Sequence, residues 1–253
     1  MTGIAGHFGE WLQGRLGPDG PLALVTLACT VAPVEQDGTD PLMPASVIAA
    51  FCDALGVADP GIGLVARMPL GAGTGASTAA LIAIARAAGV TDPDRVRAAC
   101  LTAEGASDPL MLPRPDAVLW APREGRVLRE GRTPPRAQIV GGFFGPPTPT
   151  DPADIAFPDI SDLADAWSAA ETLDDHARIA TESALRCTAL RGPANDPTPL
   201  LAADLGALGH ARAHTGSARA LIFAPGTAPD GTEQALAQSG LAAPLQFVTG
   251  GGT

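Results

Sequence analysis

The segment Pro69-Leu70-Gly71-Ala72-Gly73-Thr74-Gly75-Ala76-Ser77-Thr78 sets three glycines at alternate positions and follows them with two hydroxyl residues. Glycine admits backbone angles closed to other residues and lets a ligand approach the chain. An apolar run, Ile62 to Met68, precedes the segment and an alanine-rich stretch of helical character follows it, so the glycines stand at a strand-to-helix junction. The free N–H groups and the dipole at such a helix start favour an anion such as phosphate. Ser77 and Thr78 fall in the first turn, where a hydroxyl either caps the helix or reaches a phosphate-bound Mg2+. The plainer alternative is a glycine turn with a hydroxyl cap.

Glu104-Gly105-Ala106-Ser107-Asp108 puts two carboxylates at the end of a helix. Phosphoryl transfer uses negative ligands for Mg2+ and a group that accepts or orients the proton of the attacking hydroxyl. Glu104 suits the first task and Asp108 the second, although acids at a helix end can equally be solvated surface. Two more segments combine glycine with polar side chains: Gly6-His7-Phe8-Gly9-Glu10-Trp11-Leu12-Gln13-Gly14, and Ala213-His214-Thr215-Gly216-Ser217-Ala218-Arg219.

The elements that must carry these residues mix without a regular βα alternation, which predicts an α+β fold. The first segment and the apolar run Pro21 to Val31 flank a turn at Gly17-Pro18-Asp19-Gly20, which predicts a hairpin. Ala45 to Leu55 reads as a helix stopped by Gly56, Ile62 to Met68 as a strand, and Asp92-Pro93 as the start of a helix through Glu104. Ala117 to Ala121 and Arg126 to Arg129 predict a second hairpin, with Glu124-Gly125 in its turn. Gln138 to Phe144 reads as a strand and Gly145 to Pro158 as a loop. One or two helices follow over Ile160 to Leu190, and another over Pro199 to Leu208. Ala211 to Phe223 reads as strand, turn and strand, Glu233 to Ser239 as a short helix and Leu245 to Val248 as a closing strand.

Composition narrows the partners. The chain has 253 residues, 46% of them apolar, and a net charge of −11. The acidic balance disfavours nucleic acid and anionic membrane. No stretch reaches the roughly 18 uninterrupted apolar residues of a membrane span, and no basic segment precedes an apolar one to suggest a signal peptide. There is no lysine, and all 16 basic residues other than histidine are arginine, which excludes a GxxxxGK[ST] loop and any Schiff-base lysine. Cys29, Cys52, Cys100 and Cys187 form no CxxC pair, so they are expected reduced, in the cytoplasm, with no zinc site of the usual spacing.

Taken in order, the four segments resemble the motifs of the GHMP kinases, the family of galactokinase, homoserine kinase, mevalonate kinase and phosphomevalonate kinase. The family's Pro-x-x-x-Gly-Leu-Gly-Ser-Ser-Ala-Ala is similar to the run from Pro69, with Ser77 at the second serine, Ala76 in place of the first and Thr74 in place of the leucine. The resemblance implies that Pro69, Gly71, Ala72, Gly73, Thr74, Gly75, Ala76, Ser77 and Thr78 hold ATP, and that Ser77 and Glu104 hold Mg2+. The narrower Gly-Glu-x-x-Gln-Gly resembles the L-threonine kinases of cobalamin biosynthesis, of the propanediol-utilisation type, and implies that His7, Gly9, Glu10 and Gln13 lie beside the acceptor. A lysine that some members carry upstream is absent, with Ile4 near its place, so arginine or histidine must neutralise any acceptor charge. The threonine kinases' Glu-Pro-Thr-Asp-Ser has one residue fewer between its acids, which leaves either Ser107 or Asp108 in the catalytic position. Their Ala-His-Ser-Gly segment is matched from Ala213 and implies substrate roles for His214, Gly216 and Ser217. His214 would bind a carboxylate or phosphate, or else stand satisfied and half-buried. Gly250-Gly251-Gly252 resembles a glycine run near the same kinases' C-termini.

The resemblance implies a ribosomal protein S5 domain 2-like N-terminal domain that binds ATP, residues 1–135, and a ferredoxin-like C-terminal domain, residues 136–253. It implies phosphorylation of the hydroxyl of L-threonine to O-phospho-L-threonine for the aminopropanol arm of cobalamin. A homoserine kinase-like acceptor, a non-catalytic nucleotide- or metabolite-binding role, and a homodimer all stay open.

Overall fold

Two long strands, β1 (Ile4–Arg15) and β2 (Leu22–Glu35), form the predicted hairpin around Gly17 to Gly20. The computed structural model describes residues 3–148 and 151–250; the C-terminal glycines 251 and 252 lie outside the described residues. The pairing of β1 with β2 is irregular between His7 and Leu12, and Gly9 there has a φ of 72°. Irregular pairing of this kind re-aims side chains, and His7, Glu10 and Gln13 all turn toward one cleft.

The helices begin and end where local chemistry directs. α1 (Ala45–Leu55) closes on Gly56 in the left-handed conformation. α3 (Pro93–Glu104) starts with Asp92 accepting the amide of Asp94, carries Pro93 in its first turn and stops at left-handed Gly105. Between them, α2 (Ala76–Ala87) follows the glycine loop. These three helices share one apolar core, which includes Phe51, Leu81 and Cys100.

The strand expected over Ile62 to Met68 is reduced to β3 (Val65–Ala66), which pairs with Val34 and Glu35 of β2. The glycines explain the loss: Gly61 has a left-handed φ of 62°, and a Cβ on Gly63 would stand 1.8 Å from the Gly38 carbonyl oxygen. β4 (Val118–Ala121) and β5 (Arg126–Glu130) make the second hairpin. Then come β6 (Ala137–Phe143), α4 (Ser161–Ala169), α5 (Leu173–Arg191), α6 (Thr198–Asp204), β7 (Gly209–Arg212), β8 (Ala218–Phe223), α7 (Thr232–Gln238) and β9 (Ala242–Thr249). Among the described residues the strands order as β5-β4-β2-β1-β7-β8-β6-β9, with β3 beside β2. The observed neighbours pair antiparallel. Strands and helices are mixed as expected of an α+β fold. Phe8, Trp11 and Leu27 are fully enclosed in the core between the sheet and α4 and α5. All four cysteines are free and buried.

Candidate active site

The glycine loop is pinned by its carbonyls. Those of Gly71, Ala72, Gly73 and Thr74 accept backbone N–H groups from Thr148, Ala218, Gly9 and His7 at 2.8–3.0 Å. With the acceptors turned to these neighbours, the opening of α2 faces a cleft of about 380 Å3. The first-turn amides of Ala76, Ser77 and Thr78 have no intrahelical acceptor, by the geometry of any helix start. Gly73 and Gly75 are needed here as glycines. Both are left-handed, at 76° and 66°; a Cβ on Gly73 would lie 2.2 Å from the Ala213 Cβ, and one on Gly75 would lie 2.6 Å from the His7 ring.

The hydroxyl cap, the plainer of the two alternatives, is not what forms. Gly75 is the residue before the helix and no side chain caps it. Ser77 instead donates a short hydrogen bond to the Glu104 carboxylate at the C-terminus of α3. Burial pushes the Glu104 carboxyl upward, against the opposing pull of that hydrogen bond. A raised buried carboxylate beside a hydroxyl is an all-oxygen donor pair with a charge to be neutralised, and it fits Mg2+. Among the described residues no group of three or more His, Cys, Asp or Glu could hold a metal ion.

Asp108 and Ser107 part company. The Ser107 hydroxyl donates to the Asp108 carbonyl at 3.1 Å, its amide bonds the Pro122 carbonyl, and its own carbonyl accepts the Trp120 indole at 2.6 Å. These bonds fix the turn. The Asp108 carboxylate is free of that role; its Oδ2 lies 3.3 Å from His7 Nε2 and 3.5 Å from the Thr78 hydroxyl, and the side chain is about a quarter exposed.

Behind Asp108 a buried polar chain runs through His7 and Glu10 to His214. His7 Nδ1 and Glu10 Oε1 are 3.8 Å apart, and Glu10 Oε2 and His214 Nδ1 are 3.9 Å apart. Burial alone lowers the His7 pKa, but the nearby charge of Asp108, together with Glu10, outweighs it and raises the value. Burial raises Glu10 to about 7, with His7 pulling the other way. His214 is held well below the usual imidazole range by burial and by Arg212 and Arg191. Its ring stacks on Phe157 at 6.1 Å. His7 Nε2, Glu10 Oε2, both ring nitrogens of His214 and the Ser217 hydroxyl make no hydrogen bond among the described residues, so His7 Nε2 meets Asp108 as a charge contact.

The cleft therefore unites Gly71, Gly73, Thr74, Gly75, Ala76, Ser77, Thr78, Glu104, Ser107, Asp108, His7, Glu10 and Gln13. Pro69, Ala72 and Gly9 support the loop without lining the cleft. His214 lies one layer behind Glu10, and Gly216 and Ser217 sit in the turn packed under Ala72 and Gly73. Arg123, Phe157, Met43 and Val47 line the cleft too, and sequence reasoning missed them. Arg123 sits in the β4–β5 turn, Phe157 in the Pro-rich loop and Met43 just before α1, where no local pattern marks a wall of a distant site. A second hollow of about 430 Å3, beside Trp167 and His176, contains none of the predicted residues.

No family model and no curated protein matches the chain. Solved structures do. A mevalonate kinase from methicillin-resistant Staphylococcus aureus superposes with a TM-score of 0.60 at 14% identity, over 98% of this chain and 99% of that one. The Methanococcus jannaschii mevalonate kinase gives 0.60 at 9% identity, over 99% and 97%. A homoserine kinase from Cytophaga hutchinsonii gives 0.52 at 14%, over 98% and 95%.

This is the GHMP kinase fold. At such low identities it is the architecture that is shared, over nearly the full length on both sides. In the GHMP arrangement here, the loop 69–78, the carboxylates at 104 and 108, the β1 irregularity and the turn 213–219 converge although they are far apart in sequence.

Proposed function

We propose that this protein is a small-molecule kinase that transfers the γ-phosphoryl group of Mg-ATP to the hydroxyl of L-threonine, giving O-phospho-L-threonine for the aminopropanol arm of cobalamin. The observation that carries the reading is the meeting of Ser77 and Glu104 at the open end of α2, with the Asp108 carboxylate in the same cleft. The N-terminal amides of α2 and the loop would bind the triphosphate. Mg2+ held by Ser77 and Glu104 would neutralise charge on the phosphate oxygens. Asp108 orients the acceptor hydroxyl and takes its proton as the hydroxyl oxygen bonds to the γ-phosphorus and the bond to ADP breaks. Catalysis on this account is mainly positioning and electrostatics. Glu10 and Gln13 face the acceptor, and an ammonium on that acceptor would meet the Glu10 carboxylate.

The division at about residue 135 belongs to the same proposal. Strands from residues 1–135 occupy one end of the sheet, as β5-β4-β2-β1, and later strands the other, as β7-β8-β6-β9. The registered pair across that seam is Glu10 with Arg212, beside the cleft. A cytoplasmic location is proposed with it, supported by four free cysteines. Among the described residues no helix is long and apolar enough to cross a membrane.

The test is ADP release with Mg-ATP across L-threonine, homoserine and mevalonate, with mass spectrometry of the product. Phosphothreonine formed at the highest kcat/KM supports the reading. A preference for homoserine or mevalonate keeps the kinase and removes the substrate. Thermal stabilisation by ATP with no turnover on any acceptor marks a binding protein.

A further inference from the structure

An acid that serves beside a triphosphate must stay ionised and aimed while negative charge gathers around it, which calls for a cation at its side. The chain has no lysine. The basic side chains that line the cleft, among the described residues, are His7 and Arg123, and Arg123 donates to the carbonyls of Asp151 and Asp154 at the rim. His7 is built differently. Its Nδ1 lies 3.2 Å from the Gly9 carbonyl oxygen. A carbonyl only accepts, so that nitrogen carries a proton. The opposite nitrogen, Nε2, is the one 3.3 Å from Asp108 Oδ2. An ionised carboxylate also only accepts, so a favourable contact there needs a second proton on the ring.

The ring has little room to turn. It is 2% exposed, and the chain at Gly75 approaches so closely that a Cβ there would clash with it. Asp108 is held from its other side, with the Thr78 hydroxyl 3.5 Å from Oδ2 and its own amide donating to that hydroxyl at 3.3 Å. The groups that face His7 are Asp108 from the turn after α3, Glu10 from β1, and the uncharged Gly75 and Thr74 from the loop. His214 faces Glu10 rather than His7.

We propose that His7 is a positioning residue for Asp108: an imidazolium, fixed by the Gly9 carbonyl, that keeps the carboxylate turned toward the acceptor hydroxyl. The role given to Asp108 rests on the kinase reading; the charge pair itself does not. A cation beside Asp108 suits a transfer that depends on placement more than on proton abstraction. Because the His7 pKa is raised, the charged form prevails below its midpoint and is lost as pH rises through it. Activity should show an alkaline limb at that midpoint.

The test has two arms. Imidazole nitrogen and carbon shifts of His7 are followed by NMR across pH in the intact protein, with the residue assigned through its backbone, and again in Asp108→Asn. The expected result is a midpoint above that of free histidine which moves down in D108N. A midpoint at or below free histidine, or one that D108N leaves in place, overturns the pair, and neither needs turnover. Where an acceptor is phosphorylated, kcat/KM against pH is compared for the wild type and His7→Gln. His7→Gln should lose the alkaline limb and about ten- to a hundredfold of kcat below it, with the ATP KM little changed; a limb that survives the substitution contradicts the role. If no acceptor turns over, the first arm still decides the pair, so the two ideas fail separately.

Discussion

At the scale of single residues, the site is defined by what each polar group meets. Glu104 has the Ser77 hydroxyl, Asp108 has His7, and Glu10 lies between His7 and His214 with burial as the dominant effect on its carboxyl. Ser77→Ala is expected to lower kcat on the order of a hundredfold, with the Mg2+ dependence shifted to higher concentration, as read by ADP release. Asp108→Asn should cost about a hundredfold or more in kcat, whereas Ser107→Ala should act mainly on stability, since its bonds fix a turn. Glu10 yields a pH prediction. Its folded pKa, about 7, lies above the usual carboxyl value, so the folded chain holds the proton more tightly than the unfolded one. The contribution to stability is complete at acid pH and is lost as pH rises toward 7. Glu10→Gln removes that loss. The variant should melt several degrees above the wild type at mildly alkaline pH, by the scale of roughly 2–4 °C per kcal/mol, and the gap should narrow in acid. It should also raise the acceptor KM. A gap independent of pH would show that Glu10 is not titrating in the fold.

At the scale of elements, the glycine loop joins α2 to β1 and to the β7–β8 turn. Gly73→Ala places a methyl against the Ala213 Cβ at a position of left-handed φ. The loss should exceed about 1 kcal/mol and bring a weakened response to ATP in thermal melts. Adding Ala213→Gly should recover part of it, because the two sites are in contact and couple; full additivity would refute the packing account. Much at this scale was legible in the sequence. α1 and α3 lie where Gly56, Asp92, Pro93 and Gly105 direct, because caps act locally. The strand at Ile62 to Met68 was over-read, since apolar content marks burial without marking ladder pairing. The Ser77 hydroxyl was legible as functional, but its choice of Glu104 over the helix end depends on where α3 stops in space.

At the scale of the whole molecule, four segments in family order reported the fold, and the fold brought three of them onto one cleft with the fourth packed behind except for Thr215, which reaches its lining. The walls were not legible. Arg123, Phe157 and Met43 reach the cleft from a turn, a loop and a helix approach whose local sequence carries no trace of it. His214 reads in the sequence either as a substrate contact or as a half-buried structural histidine, and its burial behind Glu10 follows from how β7 meets β1. Stability at this scale also draws on the buried pair of Arg219 and Asp196, at 2.5 Å with both side chains almost fully enclosed. Asp196→Ala leaves the guanidinium uncompensated and should cost about 3–5 kcal/mol in denaturant unfolding. The central claim is that the mouth of α2 holds a magnesium nucleotide. Calorimetric titration of the intact protein with ATP, with and without Mg2+, tests it most directly. The account predicts magnesium-dependent binding at a Kd between about a micromolar and a millimolar, as for typical enzyme substrates, sharply weakened in a Ser77→Ala, Glu104→Gln double variant. Absence of binding, or binding indifferent to both the metal and the double substitution, would contradict it.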